Sequence, residues 1–382
     1  MPEASRKPAH VVHVTEAPLG GVVSYLDELL GAQLRSDPDM RIDLITPEIN
    51  RDALSDLDGD NFRMIAFDYG GRSPLALMKL AATTLRHVRR TRPDILHIHS
   101  TFAGAAIRVL KPLMPKRTRV IYCPHGWAFA RTGSGLSRRG FAAIERGLAR
   151  CCDSIVCISD HERREAGAHG IPSDRLVVVE NGISPRASVS TPTERQGTRR
   201  LIAFAGRFDR QKGFDTFLDV MRQLRDEADA IAIGSIITSK GDMPEIPDNV
   251  QILGWQSRAA VFDLYRRADL LLVPSRWEGF GLVAAEAMQA GTAVFASCVG
   301  GLQDIVLDGE TGRLFEPDDA AGIVRLIRMA SDDDLTRFGR NGRNRYLARY
   351  TAERMAADMA ALYAALLRQD AGHRDARHRF QE

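Results

Sequence analysis

Apolar residues along this chain fall in short runs, separated by longer stretches with helical spacing. The runs at 10–14 (HVVHV), 42–46 (IDLIT), 94–100 (DILHIHS), 119–123 (RVIYC) and 154–159 (SIVCIS) have the length and branched content of buried strands. Between them, 22–34 (VVSYLDELLGAQL), 74–90, 103–110 and 139–151 carry the spacing of helices with one buried face. The alternation pauses at 181–200 (NGISPRASVSTPTERQGTRR), whose Ser, Thr, Pro and Arg content reads as an interdomain linker. It then restarts, with strands expected at 201–206, 230–235, 250–255, 270–275 and 293–297 and helices at 213–226 and from about Gly281. A last stretch, 351–367, sets Met355, Met359, Leu362, Tyr363 and Leu366 on one helical face, and the charged residues after it are expected to fray. This pattern predicts an α/β chain with two Rossmann-like, doubly wound parallel sheets. Ligands of such sheets sit beyond the carboxyl ends of the strands.

Composition narrows the class. A length of 382 residues, 44% hydrophobic and 26% charged, suits a globular chain of two domains. No run approaches the ~18 apolar residues of a membrane span, and the N-terminus lacks a signal-peptide pattern, so a cytoplasmic location is expected. Five cysteines make no CxxC pair, which argues against a zinc site or a disulfide framework. The acidic run DLDGD at 56–60 lacks the spacing of a calcium loop and reads as a solvated turn. Net charge is only +3, yet residues 72–150 hold 16 Lys/Arg against 2 Asp/Glu, whereas residues 1–71 hold 6 against 13. Such asymmetry suggests an anionic partner, with bases scattered over solvated helices as the plainer alternative.

Two stretches carry candidate chemistry. In AGRFDRQKGFD, Gly206 ends a strand, Arg207 follows it, and Lys212 stands just before the next helix. Two cations beside a helix N-terminus suit a polyanion, although the spacing is not that of a Walker loop. In EGFGLVAAEAMQAG, Gly279 and Gly281 let backbone approach a ligand without an intervening Cβ. The amides of Phe280, Gly281, Leu282 and Val283 would point outward from the helix's first turn. Glu278 precedes that turn, and Glu286 lies beyond it on the helix. A carboxylate at each end of an amide-rich turn suits a nucleotide-diphosphate sugar, with phosphates in the middle and hydroxyls at both ends.

These stretches, with VGGLQDIVLDGETGRLF and VENGI, resemble the family 4 retaining glycosyltransferases of the GT-B fold, densely from about 200 to 318. Glu278 and Glu286 match the family's E-x7-E motif. The resemblance implies two domains facing a central cleft, with an acceptor domain at 1–187 and a donor domain at 195–354. The C-terminal helix, 355–382, would return to the first domain. It also implies roles for the candidate residues. Arg207 and Lys212 would bind the donor diphosphate as leaving group, Glu286 the ribose hydroxyls, and Glu278 would sit by the transferred sugar. Gly20 and Gly21 match the family's first-domain glycine loop, and His125 in CPHGW matches its active-site histidine. His97 and His99 are read as structural, with at most one of them facing the cleft.

The expected reaction is retaining transfer of a sugar from a UDP- or GDP-sugar to a hydroxyl of a glycan or lipid-diphosphate-linked acceptor. No metal, no further cofactor and no nucleic-acid partner are expected. The basic block at 72–150 is expected to dock on an anionic membrane surface or to recognise a lipid diphosphate. A nucleotide-sugar 2-epimerase and a non-catalytic nucleotide-sugar binding protein are the alternatives. The chain departs from the family pattern in IGSIITSKGD, where members often carry Gly-x-Gly-Pro, and at Ser184, where Asp is usual.

Overall fold

The computed structural model describes residues 10–68, 70–71, 73–130, 135–186, 199–235 and 244–378. Arg72 and Arg131 of the basic block, residues 187–198 of the linker and residues 236–243 after IGS lie outside them. The chain forms two compact units, one of residues up to Ser184 together with those from Ala352 onward, the other Pro185–Thr351.

In the first unit, strands and helices alternate: β1 His10–Thr15, α1 Gly21–Ser36, β2 Arg41–Pro47, β3 Phe62–Phe67, α2 Pro74–Thr91, β4 Ile95–His99, α3 Thr101–Arg108, β5 Arg119–Cys123, α4 Gly135–Leu148, β6 Ser154–Cys157, α5 Asp160–Ala168 and β7 Leu176–Val178. The seven strands are parallel, in the order β3-β2-β1-β4-β5-β6-β7. Winding therefore reverses between β1 and β4, the switch point beside which ligands of doubly wound sheets collect. Strands β1, β4 and β5 are almost wholly buried because helices cover both faces, which is why they read as unbroken apolar runs.

The second unit continues with β8 Arg200–Ala205, α6 Phe214–Gln223, β9 Ala228–Ile233, β10 Val250–Ile252, α7 Arg258–Arg267, β11 Leu270–Val273, α8 Leu282–Ala290, β12 Ala293–Ser297, α9 Leu302–Ile305, β13 Gly312–Phe315, α10 Ala320–Met329 and α11 Asp332–Arg349. Its six parallel strands run β10-β9-β8-β11-β12-β13, so winding reverses between β8 and β11. Phe204, Phe208, Phe214 and Phe217 stack through the core beneath β8 and α6.

The last helix, α12 Ala352–His378, belongs to the first unit. It packs along α1, and its start is fixed by Ala352 N–H donating to Ile183 O at 3.0 Å. Its helical backbone runs to His378, past the residue-367 limit expected from apolar spacing. The helix expected at 139–151 instead begins at Gly135 and ends at Leu148, followed by a 3₁₀ turn at Ala149–Cys151. Among the described residues no helix is long and apolar enough to cross a membrane.

Candidate functional site

The carboxyl edge of the second sheet brings two of the sequence candidates into contact. Lys212 follows β8 and Glu278 follows β11, the two strands flanking the switch point, and their Nζ and Oε1 atoms form an ion pair. The lysine side chain is 19% exposed and the glutamate 8%, so the pair is shielded but reachable from solvent. Ser275 Oγ donates a second hydrogen bond to Glu278 Oε1 at 3.1 Å.

Two loops are laced together to hold this geometry. Arg276 N–H donates to Gln211 O at 2.9 Å, and Gln211 Nε2 donates to Trp277 O at 3.3 Å. Gly213, at φ 66°, caps α6 so close to the neighbouring loop that a Cβ would lie 1.9 Å from Pro274 O. Arg276 ties the same loop to Asp215 and Asp318, at 2.8 and 2.6 Å. Behind Glu278, Gly300 sits where a Cβ would come within 1.8 Å of the Glu278 carbonyl.

Arg207 leaves the end of β8 through Gly206 and pairs with Asp209 at 3.0 Å and with Gln211 Oε1 at 2.5 Å. Both candidate cations therefore hold protein acceptors in this state, and an anionic ligand has to compete for them. Gly281 is the N-cap of α8 at φ 106°, and no side chain caps the helix. Phe280 is buried, edge-on to Tyr350, while Leu282 and Val283 are partly exposed on the first turn. Glu286 lies one turn further along α8, beside the buried Tyr265 phenol. Burial raises that phenol's pKa, and the Glu286 charge raises it further.

In the first unit, Gly20 and Gly21 are exposed at the start of α1, and a Cβ on either would meet nothing within 4 Å. His125 follows β5, partly exposed, with φ 54°, an uncommon conformation for a residue other than glycine. The loop is pinned by Gly126 N–H donating to Glu162 at 2.6 Å, and the His125 ring meets the Tyr25 ring edge-on at 4.5 Å. Burial holds the His125 pKa down, to about 3.

His97 and His99 are two residues apart on β4 and share one face of the sheet, both fully buried, so the strand does not separate them in the way that expecting at most one to face the cleft supposes. His99 Nδ1 lies 3.0 Å from His125 Nε2, and His99 Nε2 lies 3.0 Å from Nδ1 of His13 on β1. Sequence reading missed His13 because its partner is 86 residues away; the usable signal was a histidine in each of two adjacent buried strands.

Three groups among the described residues bring possible metal-ligating atoms within 4.8 Å of one another: His13–His97–His99, His99–Cys123–His125 and His10–Asp43–His87. In each, the closest pairs stand 2.7–3.0 Å apart, the spacing of shared protons.

The basic block is partly spent on structure. Arg108 is fully buried against Glu145 at 2.6 Å, and Lys111 and Arg119 share Asp153. Lys79, Arg86, Arg89 and Arg90 on α2 and Arg138, Arg139 and Arg146 on α4 remain exposed.

Two Rossmann-like units, the second with a cation–carboxylate pair at its switch point, define a glycosyltransferase of the GT-B fold. The chain belongs to this family: residues 20–182 match the family described as "Glycosyl transferase 4-like domain" and residues 188–345 that described as "Glycosyl transferases group 1". It is 30% identical over 297 residues to a D-inositol 3-phosphate glycosyltransferase of Xylanimonas cellulosilytica, covering 70% of each chain. It is 30% identical over 330 residues to an uncharacterized 41.2 kDa protein in the cps region of Klebsiella pneumoniae, covering 83% of this chain and 89% of that one. Among solved structures, it is similar to HepE of Anabaena in complex with UDP-glucose, with a TM-score of 0.78 at 17% identity over 93% of this chain and 99% of the other.

Proposed function

We propose that the chain is a retaining glycosyltransferase that moves a hexose from a UDP- or GDP-sugar to a hydroxyl of a glycan or lipid-linked acceptor. The observation that carries this reading is the Lys212–Glu278 pair, built from the two strands at the switch point and lying in the loop that leads into α8. Breaking the C1–O–P bond builds positive charge on the sugar ring and negative charge on the departing diphosphate. Arg207, Lys212 and the amide-rich tip of α8 at Phe280, Gly281, Leu282 and Val283 oppose that negative charge in fixed positions, without a resident metal or other cofactor. Gly206 gives the backbone its close approach, and Glu286 holds the ribose hydroxyls. Glu278 exchanges its lysine for the transferred sugar, acting as a positioning group while the donor phosphate helps deprotonate the acceptor. Gly20–Gly21 and His125 keep the roles that the resemblance implies for them, a glycine loop and an active-site histidine. The decisive assay incubates the protein with UDP- and GDP-sugars and a panel of glycan and lipid acceptors. The reading requires release of nucleoside diphosphate matched by sugar on the acceptor. Epimerised sugar, or binding without turnover, contradicts it.

The same proposal places the acceptor side at an anionic membrane leaflet in polysaccharide or glycolipid assembly. Large apolar side chains stand exposed among these bases, Leu75 and Met78 on α2 and Leu136 and Ile144 on α4. Each base near such a surface contributes about 1 kcal/mol. Co-sedimentation with phosphatidylglycerol-containing vesicles, lost in Leu136→Glu/Ile144→Glu, is the expected result; equal recovery with neutral vesicles counts against it.

A further inference from the structure

We infer that His125 presents its Nδ1 as an N–H donor, a tautomer imposed by a buried chain that starts at the Tyr363 hydroxyl on α12 and passes His97, His13 and His99. The inference rests on the reading of His125 as part of the transfer site, and its test separates the two.

Tyr363 Oη lies 2.9 Å from His97 Nδ1, His13 Nδ1 lies 3.0 Å from His99 Nε2, and His99 Nδ1 lies 3.0 Å from His125 Nε2. Burial keeps all four imidazoles neutral: it lowers His13 and His125 to about 3, and His97 and His99 also fall well below the usual histidine range. A neutral imidazole carries one N–H, so each hydrogen bond fixes the next; His97 and His13 pack ring against ring without one, and there the burial of their Nε2 atoms decides.

The polarity is set at the tyrosine end. Burial keeps the Tyr363 phenol protonated, and because a phenol O–H is a stronger donor than a neutral imidazole N–H, and an imidazole lone pair a stronger acceptor than a phenol oxygen, the hydroxyl donates to His97 Nδ1 at 2.9 Å. His97 then carries its own proton on Nε2. Among the described residues, the two fully buried nitrogens of this cluster without a partner are His97 Nε2 and His13 Nε2, on rings whose centroids are 5.1 Å apart. Protonating both would bury two unpartnered donors next to each other, each at a desolvation cost. His13 therefore leaves Nε2 bare and donates from Nδ1 to His99. His99 in turn donates from Nδ1 to His125 Nε2, and the remaining His125 proton sits on Nδ1. Held this way, His125 donates a hydrogen bond to a hydroxyl or phosphate oxygen and does not act as a base. Tyr363, His97, His13 and His99 are positioning residues, acting through it.

The test is long-range ¹H–¹⁵N correlation on the full chain labelled with ¹⁵N-histidine, with signals assigned by single-site variants. His125, His99 and His13 should appear as Nδ1–H tautomers and His97 as Nε2–H, and Tyr363→Phe should shift His125 toward the Nε2–H form. A wild-type His125 in the Nε2–H form overturns the inference, whether or not Tyr363→Phe folds. In turnover, His125→Asn keeps an amide donor near the Nδ1 position and His125→Gln does not, so the first should exceed the second by roughly tenfold. The spectrum reads the tautomer independently of activity. An Nδ1–H signal with both variants fully active upholds the chain of histidines and removes His125 from the reaction.

Discussion

Replacing Lys212 with methionine removes one charge and keeps most of the apolar stem. Glu278, 8% exposed, is then left with Ser275 Oγ at 3.1 Å as its remaining side-chain donor among the described residues. Breaking a fully buried pair costs about 3–5 kcal/mol, and an exposed pair contributes about 0–1 kcal/mol. At these exposures Lys212→Met should cost about 1–3 kcal/mol, at roughly 2–4 °C of melting temperature per kcal/mol. The catalytic loss is separate and larger: removing one preorganised group that opposes leaving-group charge costs about 10²–10³ in kcat. Adding Glu278→Gln removes the uncompensated charge, so Lys212→Met/Glu278→Gln should regain most of the stability and none of the turnover. The assays are urea denaturation and coupled detection of released nucleoside diphosphate. If Lys212→Met keeps turnover within a few-fold of the parent, the leaving-group role of this cation is refuted, however stability responds.

Other expectations follow from the same geometry. Gly300→Ala puts a Cβ 1.8 Å from the Glu278 carbonyl, so the loop must move; a cost of about 1–3 kcal/mol and loss of turnover are expected. Gly291→Ala, at φ 82° with nothing within 4 Å, is the control that carries backbone strain alone and should keep activity. Glu286→Gln should weaken nucleoside-diphosphate binding by roughly 10–100-fold in calorimetry, the value of a hydrogen bond to a charged group. Stability of the first unit should fall in acid. Its four neutral histidines have depressed pKa values, so their contribution is present above about pH 6.5 and is lost as pH falls toward 3. Glu162, raised by burial to about 7, acts in the opposite sense, its contribution being lost as pH rises from 4.5 through 7. Between pH 6.5 and 4.5 the histidines prevail, each adding up to about 1.4 kcal/mol per pH unit. A urea midpoint that does not fall across this range would contradict the assignment of buried neutral imidazoles.

The central strands were legible because burial on both faces leaves unbroken apolar runs, as in β1, β4, β11 and β12. Three edge or short strands were not. β3 is half-exposed, β7 has three residues, and β13 opens on Gly312, which packs against the Val294 carbonyl. Helix α11 escaped because charge masks its buried face: Gly339 and Gly342 give it close approach to the Gly291 carbonyl and to Met288. In the site, the glycines and charged residues after β8 and β11 announced themselves by type and position. The pairing of Lys212 with Glu278 and the bracing by Gln211, Arg276 and Gly300 depend on contacts tens of residues apart, which no local pattern reports. The histidine chain is an extreme case, needing the register that sets His13 opposite His97.

A crystal structure of the full chain with UDP-glucose or GDP-mannose, whichever raises its melting temperature more, tests the central claim most directly. The diphosphate should lie at Arg207, Lys212 and the first turn of α8, with Glu286 on the ribose and Lys212 released from Glu278. A nucleotide bound elsewhere, with the Lys212–Glu278 pair intact, would contradict the account.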